Sequence, residues 1–399
     1  VRTMKNKDIF TFRDAEKQAG PVAFSTMLKP AGSACNLDCG YCYYLDKAAQ
    51  YGGRQAVMAD DLLELYIRQY IEANEVPVVT FCWHGGEPLL LGRDFYRRAV
   101  ALQRKYAAGK RIENTLQTNG TLVDEAWCEL FAENGFLVGL SLDGPEDIHD
   151  AFRRTKGGRP TFARVMRTVG MFRRTGVEYN TLSVVNRACE GRGAEIYRFF
   201  RDTVGSRYMQ FLPAVEHVVD RAGLHRPLIV SPETQGARPA EWSVTAEGYG
   251  TFLCDIFDEW VVSDVGQCFV QLFDATLAQW CGVQPGVCSM GETCGDALVV
   301  EHNGDVYSCD HFVYPEYLLG NIREIYRSRR RIDFGLAKRN ALPAECLRCR
   351  YYFACRGECP KHRFETGSDG CRKNSLCEGL FRYFRHAEPY MDYMRDLLA

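Results

Sequence analysis

The distribution of cysteine constrains this chain more than any other feature. Eighteen cysteines occur in 399 residues, three between positions 35 and 42, four between 281 and 309, and six between 346 and 377. Packing alone does not require so many thiols, yet their density stays below the roughly 8–10% of a small disulfide scaffold. In a long chain of a reduced compartment, close-spaced cysteines read as metal ligands or catalytic groups. Any fold for this sequence has to gather thiols around metal.

The remaining composition is ordinary. Apolar residues make up 46% and charged residues 25%, with a net charge of −2. That balance lacks the basic excess of a nucleic-acid-binding surface. No apolar run reaches the roughly 18 residues of a membrane span. The stretch Val1–Lys5 has no signal-peptide apolar region, so the expected location is the cytoplasm.

Along the first half, strand-like and helix-like segments alternate. Strands are expected at 22–29, 77–83, 112–118, 136–142, 177–185 and 207–213, each short, β-branched or aromatic, and bounded by turn formers. Amphipathic helices lie between them. One buries Leu62, Leu63, Tyr66, Ile67, Tyr70 and Ile71 with Asp60 or Asp61 as N-cap, and another opens at Asp124. Six strand–helix units predict an α/β fold, a partial (β/α)6 TIM-like barrel with its site at the strand C-terminal ends. This core is expected over 22–245, with a polar loop at 219–245. A helical linker over 246–285 and a cysteine-rich domain over 286–399 follow, the latter with a hairpin turn at Asn303-Gly304.

Cys35-x3-Cys39-x2-Cys42 places three thiols on one tight loop just after the first strand. An all-cysteine four-iron cluster takes four thiolates, so three leave one iron open to a substrate's amino and carboxylate groups. Zinc would favour paired CxxC spacings with a fourth ligand close by. The motif, with an aromatic before its third cysteine, resembles that of the radical S-adenosylmethionine (SAM) superfamily. Further segments fit that resemblance. Gly85-Gly86-Glu87-Pro88 is similar to the segment that contacts the methionine amino group, with Glu87 as a carboxylate for the ammonium. The resemblance makes Ser141 and Arg153 contacts to the ribose or carboxylate of SAM. It also implies that Tyr41 offers backbone contacts to adenine, and that Val215 lines the SAM pocket. Outside the family context, Ser141 reads as a strand-end turn residue and Arg153 as a solvated surface charge.

Toward the C-terminus, Cys288-x5-Cys294-x14-Cys309, Cys346-x2-Cys349-x5-Cys355-x3-Cys359 and Cys377 supply eight thiols, enough for two fully ligated four-iron clusters. Spacing alone leaves their pairing open and allows CxxC zinc knuckles. The pattern resembles the SPASM extension of peptide-modifying radical SAM enzymes. That resemblance implies one auxiliary cluster on Cys288, Cys294, Cys309 and Cys359, and a second on Cys346, Cys349, Cys355 and Cys377. Cysteines 82, 128, 189, 254, 268, 281 and 371 read as packing.

Segments 116–122, 271–280, 299–322 and 346–364 resemble the anaerobic sulfatase-maturating enzymes. The resemblance implies three 4Fe-4S clusters and SAM as cofactors. It implies a sulfatase polypeptide with a Cys/Ser-x-Pro-x-Arg segment as substrate, and an electron donor such as flavodoxin or ferredoxin. The activity implied is oxidation of the target Cys or Ser to formylglycine, with Asp310, directly after Cys309, as proton acceptor. The plain reading of Asp310 is a hairpin-end residue satisfied by backbone N–H groups. His84 stands where part of the family carries Gln. Asp274 reads as a helix residue and a second carboxylate. A cross-linking maturase of ribosomal peptides is the alternative enzyme, and a zinc-ribbon interaction module the alternative that is not one.

Overall fold

The computed structural model describes residues 23–51, 57–220, 227–323 and 329–398. Positions 22, 52–56, 221–226, 324–328 and 399 of the expected domains, and the Val1–Lys5 stretch, lie outside the described residues.

All six expected strands form: β1 (Ser25–Lys29), β2 (Val78–Trp83), β3 (Arg111–Thr118), β4 (Phe136–Ser141), β5 (Tyr179–Val185) and β6 (Tyr208–Pro213). Between them run helices α1 (Asp60–Ala73), α2 (Arg93–Tyr106), α3 (Glu125–Glu133), α4 (Glu146–Phe152), α5 (Phe162–Thr175) and α6 (Gly193–Arg198). The strands pair in parallel and in sequence order, as successive crossovers of one hand require. Period-two alternation then sorts the side chains. On β2, Val79, Phe81 and Trp83 are buried, with Tyr66 and Tyr70 packed on Phe81 and Tyr96 on Trp83. Thr80 and Cys82 point the other way, toward the barrel interior. One buried polar set behind the sheet is fully paired: Trp83 Nε1 and Gln103 Nε2 each donate to Asn114 Oδ1 at 2.8 Å.

The helix starts differ in one case. Asp124 caps α3 as expected, accepting from Trp127 N at 2.9 Å. At α1 the N-cap is Ala59, without a side-chain bond, and Asp60 and Asp61 fall in the first turn. There they complement the helix dipole instead of closing a cap.

Past β6 the expected loop is organised as a small sheet of β7 (His217–Val219), β8 (Leu228–Ile229) and β9 (Arg238–Pro239). The two helices expected next are α7 (Ala246–Ser263) and α8 (Gln271–Trp280), with β10 (Phe269–Val270) between them on the outer edge of β6. The hairpin at Asn303-Gly304 joins β11 (Ala297–Glu301) to β12 (Asp305–Tyr307), and β13 (Leu318–Asn321) pairs beyond it. β11 runs parallel to β1 from Ser25↔Ala297 to Lys29↔Glu301. One sheet, ordered β10-β6-β5-β4-β3-β2-β1-β11-β12-β13, therefore spans the barrel and the start of the cysteine-rich tail. A division at 286 runs through a continuous sheet.

The two longest helices of the tail are α9 (Arg329–Asn340) and α10 (Cys377–Leu398). α10 crosses α7 at paired glycines. A Cβ on Gly250 would lie 2.6 Å from Gly379 Cα, and one on Gly379 would lie 2.0 Å from Ala246 O. Only glycine at both places lets the axes approach so closely. No helix among the described residues is long and apolar enough to cross a membrane.

Candidate metal centres and active site

The Cys35–Cys42 loop leaves the C-terminal end of β1 and is tied down by its neighbours. Asp38 N donates to Arg154 O at 2.8 Å and Gly40 N to Phe152 O at 3.1 Å. Leu37 N points at Cys35 Sγ (3.4 Å), as does Asn119 Nδ2 (3.8 Å), which also holds Asn36 Oδ1 at 2.9 Å. Burial pushes the Cys35 thiol up to about 11. A bound cation reverses that bias and N–H donors around sulfur support the thiolate, so the loop suits a metal cluster.

The Gly-Gly-Glu-Pro segment ends β2 beside this loop. Gly85 has φ +121°, and a Cβ on Gly86 would meet Ala34 O at 2.1 Å. Gly86 N donates to Gly32 O at 2.9 Å and Glu87 N to Ala34 O at 2.8 Å. The glycines thus let the segment lie directly on the chain entering Cys35. The Glu87 side chain is turned inward and fully buried. It accepts from Leu89 N (3.0 Å), Thr118 Oγ1 (2.9 Å) and Asn119 N (2.8 Å). These three donors fix the Glu87 carboxylate beside the loop that enters Cys35.

Arg153 differs from expectation. It is buried, and its Nη2 and Nε reach Asp143 at 3.0 Å each. Asp143 further accepts from Val184 N (3.0 Å) and the Tyr41 hydroxyl. This pair sits beside Cys39, whose thiol feels the Arg153 charge. The solvated-arginine reading fails. Ser141, at the end of β4, accepts from Gln117 Nε2 at 2.9 Å. Val215 is buried in the main core just past β6.

Folding sorts the C-terminal thiols into two groups. Cys288, Cys294, Cys309 and Cys359 lie close enough to act electrostatically on one another. Cys346, Cys349, Cys355 and Cys377 do the same. Burial raises the Cys294 and Cys355 thiols to about 12 each. Buried cations accompany them. Lys338 Nζ donates to the carbonyls of Cys288 (2.7 Å), Ser289 (2.7 Å) and Gly291, and α9 presses Gly335 onto the Cys294 carbonyl. Arg363 lies between the groups, near Cys359, Cys294 and Cys346. Neither Lys338 nor Arg363 carries a sequence signal. Of the cysteines read as packing, 128, 189, 254 and 268 are buried, whereas 82, 281 and 371 are half-buried.

Asp310 is placed where the barrel meets the second thiol region. Its carboxylate pairs with the Lys29 ammonium from β1 and accepts from the Tyr43 hydroxyl. Lys29 is fully buried, 3.5 Å from the Tyr44 ring centroid, while Tyr44 donates to both Glu301 oxygens at 2.6 and 2.7 Å. Burial alone would raise the Asp310 carboxyl, but Lys29, with help from His84 and His311, holds it well below the usual range. His84 is kept neutral, pushed by burial down to about 4, and its Nδ1 accepts from Gly85 N. The ring's proton is therefore on Nε2. Lys361 and Glu216 form a second buried pair at 2.5 Å, 4.7 Å from the Tyr43 ring centroid. An isolated lysine in a strand gives no hint of such a role, so the sequence left Lys29 unmarked.

A parallel partial barrel with a three-thiol loop at its first strand end defines a radical SAM enzyme, and residues 30–187 match the Radical SAM superfamily. Residues 288–350 match the SPASM iron-sulfur cluster-binding domain. A serine-type anaerobic sulfatase-maturating enzyme of Bacteroides thetaiotaomicron is 48% identical over 379 residues, covering 93% of this chain and 91% of that protein. The cysteine-type enzyme of Clostridium perfringens is 31% identical over 374 residues, covering 92% and 96%. A solved structure, native anSMEcpe with bound AdoMet and the Cp18Cys peptide, superposes with a TM-score of 0.82 at 29% identity, covering 95% of this chain and all of that one. The chain belongs to the anaerobic sulfatase-maturating enzymes.

Proposed function

We propose that this protein oxidises an active-site serine or cysteine of a sulfatase polypeptide to formylglycine. The observation that carries the reading is Asp310, a carboxylate joined to a C-terminal thiol ligand on one side and to Lys29 of β1 on the other. Cys35, Cys39 and Cys42 would hold the open four-iron cluster. Cys288, Cys294, Cys309 and Cys359 would hold one auxiliary cluster, and Cys346, Cys349, Cys355 and Cys377 another, three in all. When bound, reduced cluster and SAM supply a 5′-deoxyadenosyl radical that takes a Cβ hydrogen, and the auxiliary clusters supply an electron sink.

The chain's own residues do the rest. For SAM, the Gly85-Gly86 backbone and the Glu87 carboxylate would meet the methionine ammonium. Ser141, the Arg153–Asp143 pair, Val215 and the Tyr41 backbone would border the remainder. Converting an alcohol to an aldehyde removes two protons and two electrons. One proton and one electron leave with the Cβ hydrogen atom, and the others leave separately. Asp310, ionised beside Lys29, takes the hydroxyl or thiol proton. From cysteine, the thioaldehyde then exchanges sulfur for oxygen with water. The 48% identity to a serine-type relative supports serine as the favoured acceptor. A flavodoxin or ferredoxin supplies the reducing electron, and residues 22–245 serve the SAM chemistry, 246–285 link, and 286–399 serve the auxiliary clusters within one joined sheet.

The test is anaerobic incubation of reduced enzyme and SAM with a Ser-x-Pro-x-Arg peptide, followed by mass spectrometry and hydrazine trapping. Loss of two hydrogens with hydrazone formation supports the reading. Loss of two hydrogens without a trappable aldehyde indicates a cross-link and overturns it. Asp310→Asn should keep SAM cleavage while lowering product formation roughly 10²–10⁴-fold. Loss of SAM cleavage with iron intact would instead make Asp310 structural.

A further inference from the structure

A cavity of about 730 Å³ opens at the N-terminal half of the barrel, away from Asp310. Its walls come from the first residues of β4, β5 and β6, from β10 and α8, and from Pro285–Val287, the segment that runs into Cys288. Its polar lining is dominated by unspent acceptors. Asn180 Oδ1 is a buried atom with no hydrogen-bond partner among the described residues. Among the described residues Asp274 on α8 has no hydrogen-bond or ion-pair partner, and burial raises its carboxyl to about 6. Gln210, from β6, joins them on the wall. The cavity also presents an aromatic face, the Tyr208 and Phe269 rings stacked at 5.0 Å and 10°, with Tyr208 53% exposed. Arg207 lines the same space together with Glu178 and carries the opposite charge to it.

We infer that this cavity seats a guanidinium side chain of the bound polypeptide, with Asp274 as counter-charge, Asn180 and Gln210 as acceptors and the Tyr208–Phe269 pair as stacking face. The inference rests on the maturase reading and deepens it. A buried acceptor without a donor is costly to leave unpaired, so the occupant brings donors. A planar fork of five N–H groups that also stacks on aromatic rings meets all of these features at once, which a point-charge ammonium does not.

The position agrees with a polypeptide running from the reaction centre. Asn180 lies on the interior layer next to the expected SAM contact. A Cβ on Gly139 would lie 2.0 Å from Gln117 Oε1 and 3.2 Å from Asn180 Oδ1, and Gln117 itself donates to Ser141. From Asn180 to Val185, at the top of β5, is about 16 Å at the usual rise per residue. Four extended residues span about 13 Å and an extended arginine side chain adds roughly 6 Å, so an arginine about four residues from the modified one covers that distance.

The test uses reconstituted full-length enzyme with SAM and a fluorescein-labelled serine peptide whose arginine sits four residues after the serine. Its counterpart carries citrulline, the neutral isostere, in place of arginine. Anisotropy should show roughly tenfold weaker binding of the citrulline peptide by the unaltered enzyme. Asp274→Asn should weaken the arginine peptide by a similar factor and erase the difference between the two. Tyr208→Leu provides a second, independent variant and should weaken the arginine peptide more than the citrulline one. Iron content and circular dichroism check folding. Equal binding of the two peptides by the unaltered enzyme, or an undiminished citrulline penalty in Asp274→Asn, overturns the inference. Maturation of an intact sulfatase by the unaltered enzyme is measured separately, so the maturase reading stands or falls independently of the cavity.

Discussion

The thiol loop after β1 and the two thiol groups of the C-terminal third solve one problem in opposite ways. The first collects three sulfurs from eight consecutive residues and depends on neighbouring loops only for donors, Asn119 among them. The second collects each four-thiol group from segments far apart in sequence, with Cys359 joining Cys288, Cys294 and Cys309, and Cys377 entering from the start of α10. A loop assembled locally can leave a coordination position free because its shape does not depend on the missing ligand. A site that draws four thiols from distant segments would be closed, and a metal bound there would also act as a cross-link that holds the fold. The buried cations differ accordingly. Lys338 clamps three carbonyls of the Cys288–Gly291 turn, whereas Lys47, just past the first loop, lies 3.1 Å from the Tyr314 ring centroid.

The sharpest break of this contrast is Cys42→Ala. It should abolish SAM cleavage and remove about four of about twelve irons while leaving thermal stability nearly unchanged. Iron analysis and a 5′-deoxyadenosine assay check it. Cys359→Ala should do the reverse. SAM cleavage persists, but the melting temperature falls on the order of 10 °C because a cross-linking centre is lost. Equal thermal losses in both variants would erase the distinction between open loop and structural staple.

Smaller effects refine the comparison. Lys338→Met leaves three carbonyls without their donor and should lower stability by about 2–4 kcal/mol, read by denaturant titration, with iron lost from one auxiliary site only. Lys47 is pushed by burial, and by repulsion from Lys29 and Lys361, down to about 7 from 10.5. Between those values the unfolded chain binds the extra proton, so this group makes stability rise with pH, by up to about 1.4 kcal/mol per pH unit. Lys47→Met should flatten that slope. An unchanged slope would place the titration elsewhere.

Much of the fold was legible because its signals are local. Six strands announced themselves by β-branched runs between turn formers, and Asp124 and Asn303-Gly304 marked a cap and a hairpin that formed as expected. The seven residues of 217–219, 228–229 and 238–239 that pair into a small sheet were hidden, since two- and three-residue strands leave no periodicity to read. The direction of the Glu87 side chain was hidden for another reason. A glutamate after two glycines carries no local sign of the three donors from its own protein that hold it here.

Sequence alone determined that thiols would cluster, that three of them would share one loop, and that a strand–helix repeat would carry that loop, because each depends on residues adjacent in the chain. Only tertiary structure decided that β11 extends the barrel sheet beside β1, that Arg153 is held by Asp143, and that Lys29 reaches Asp310. Those outcomes depend on contacts between segments far apart in the chain, where geometry is set by packing and by the pairing of buried charge, and neither is encoded in any local spacing.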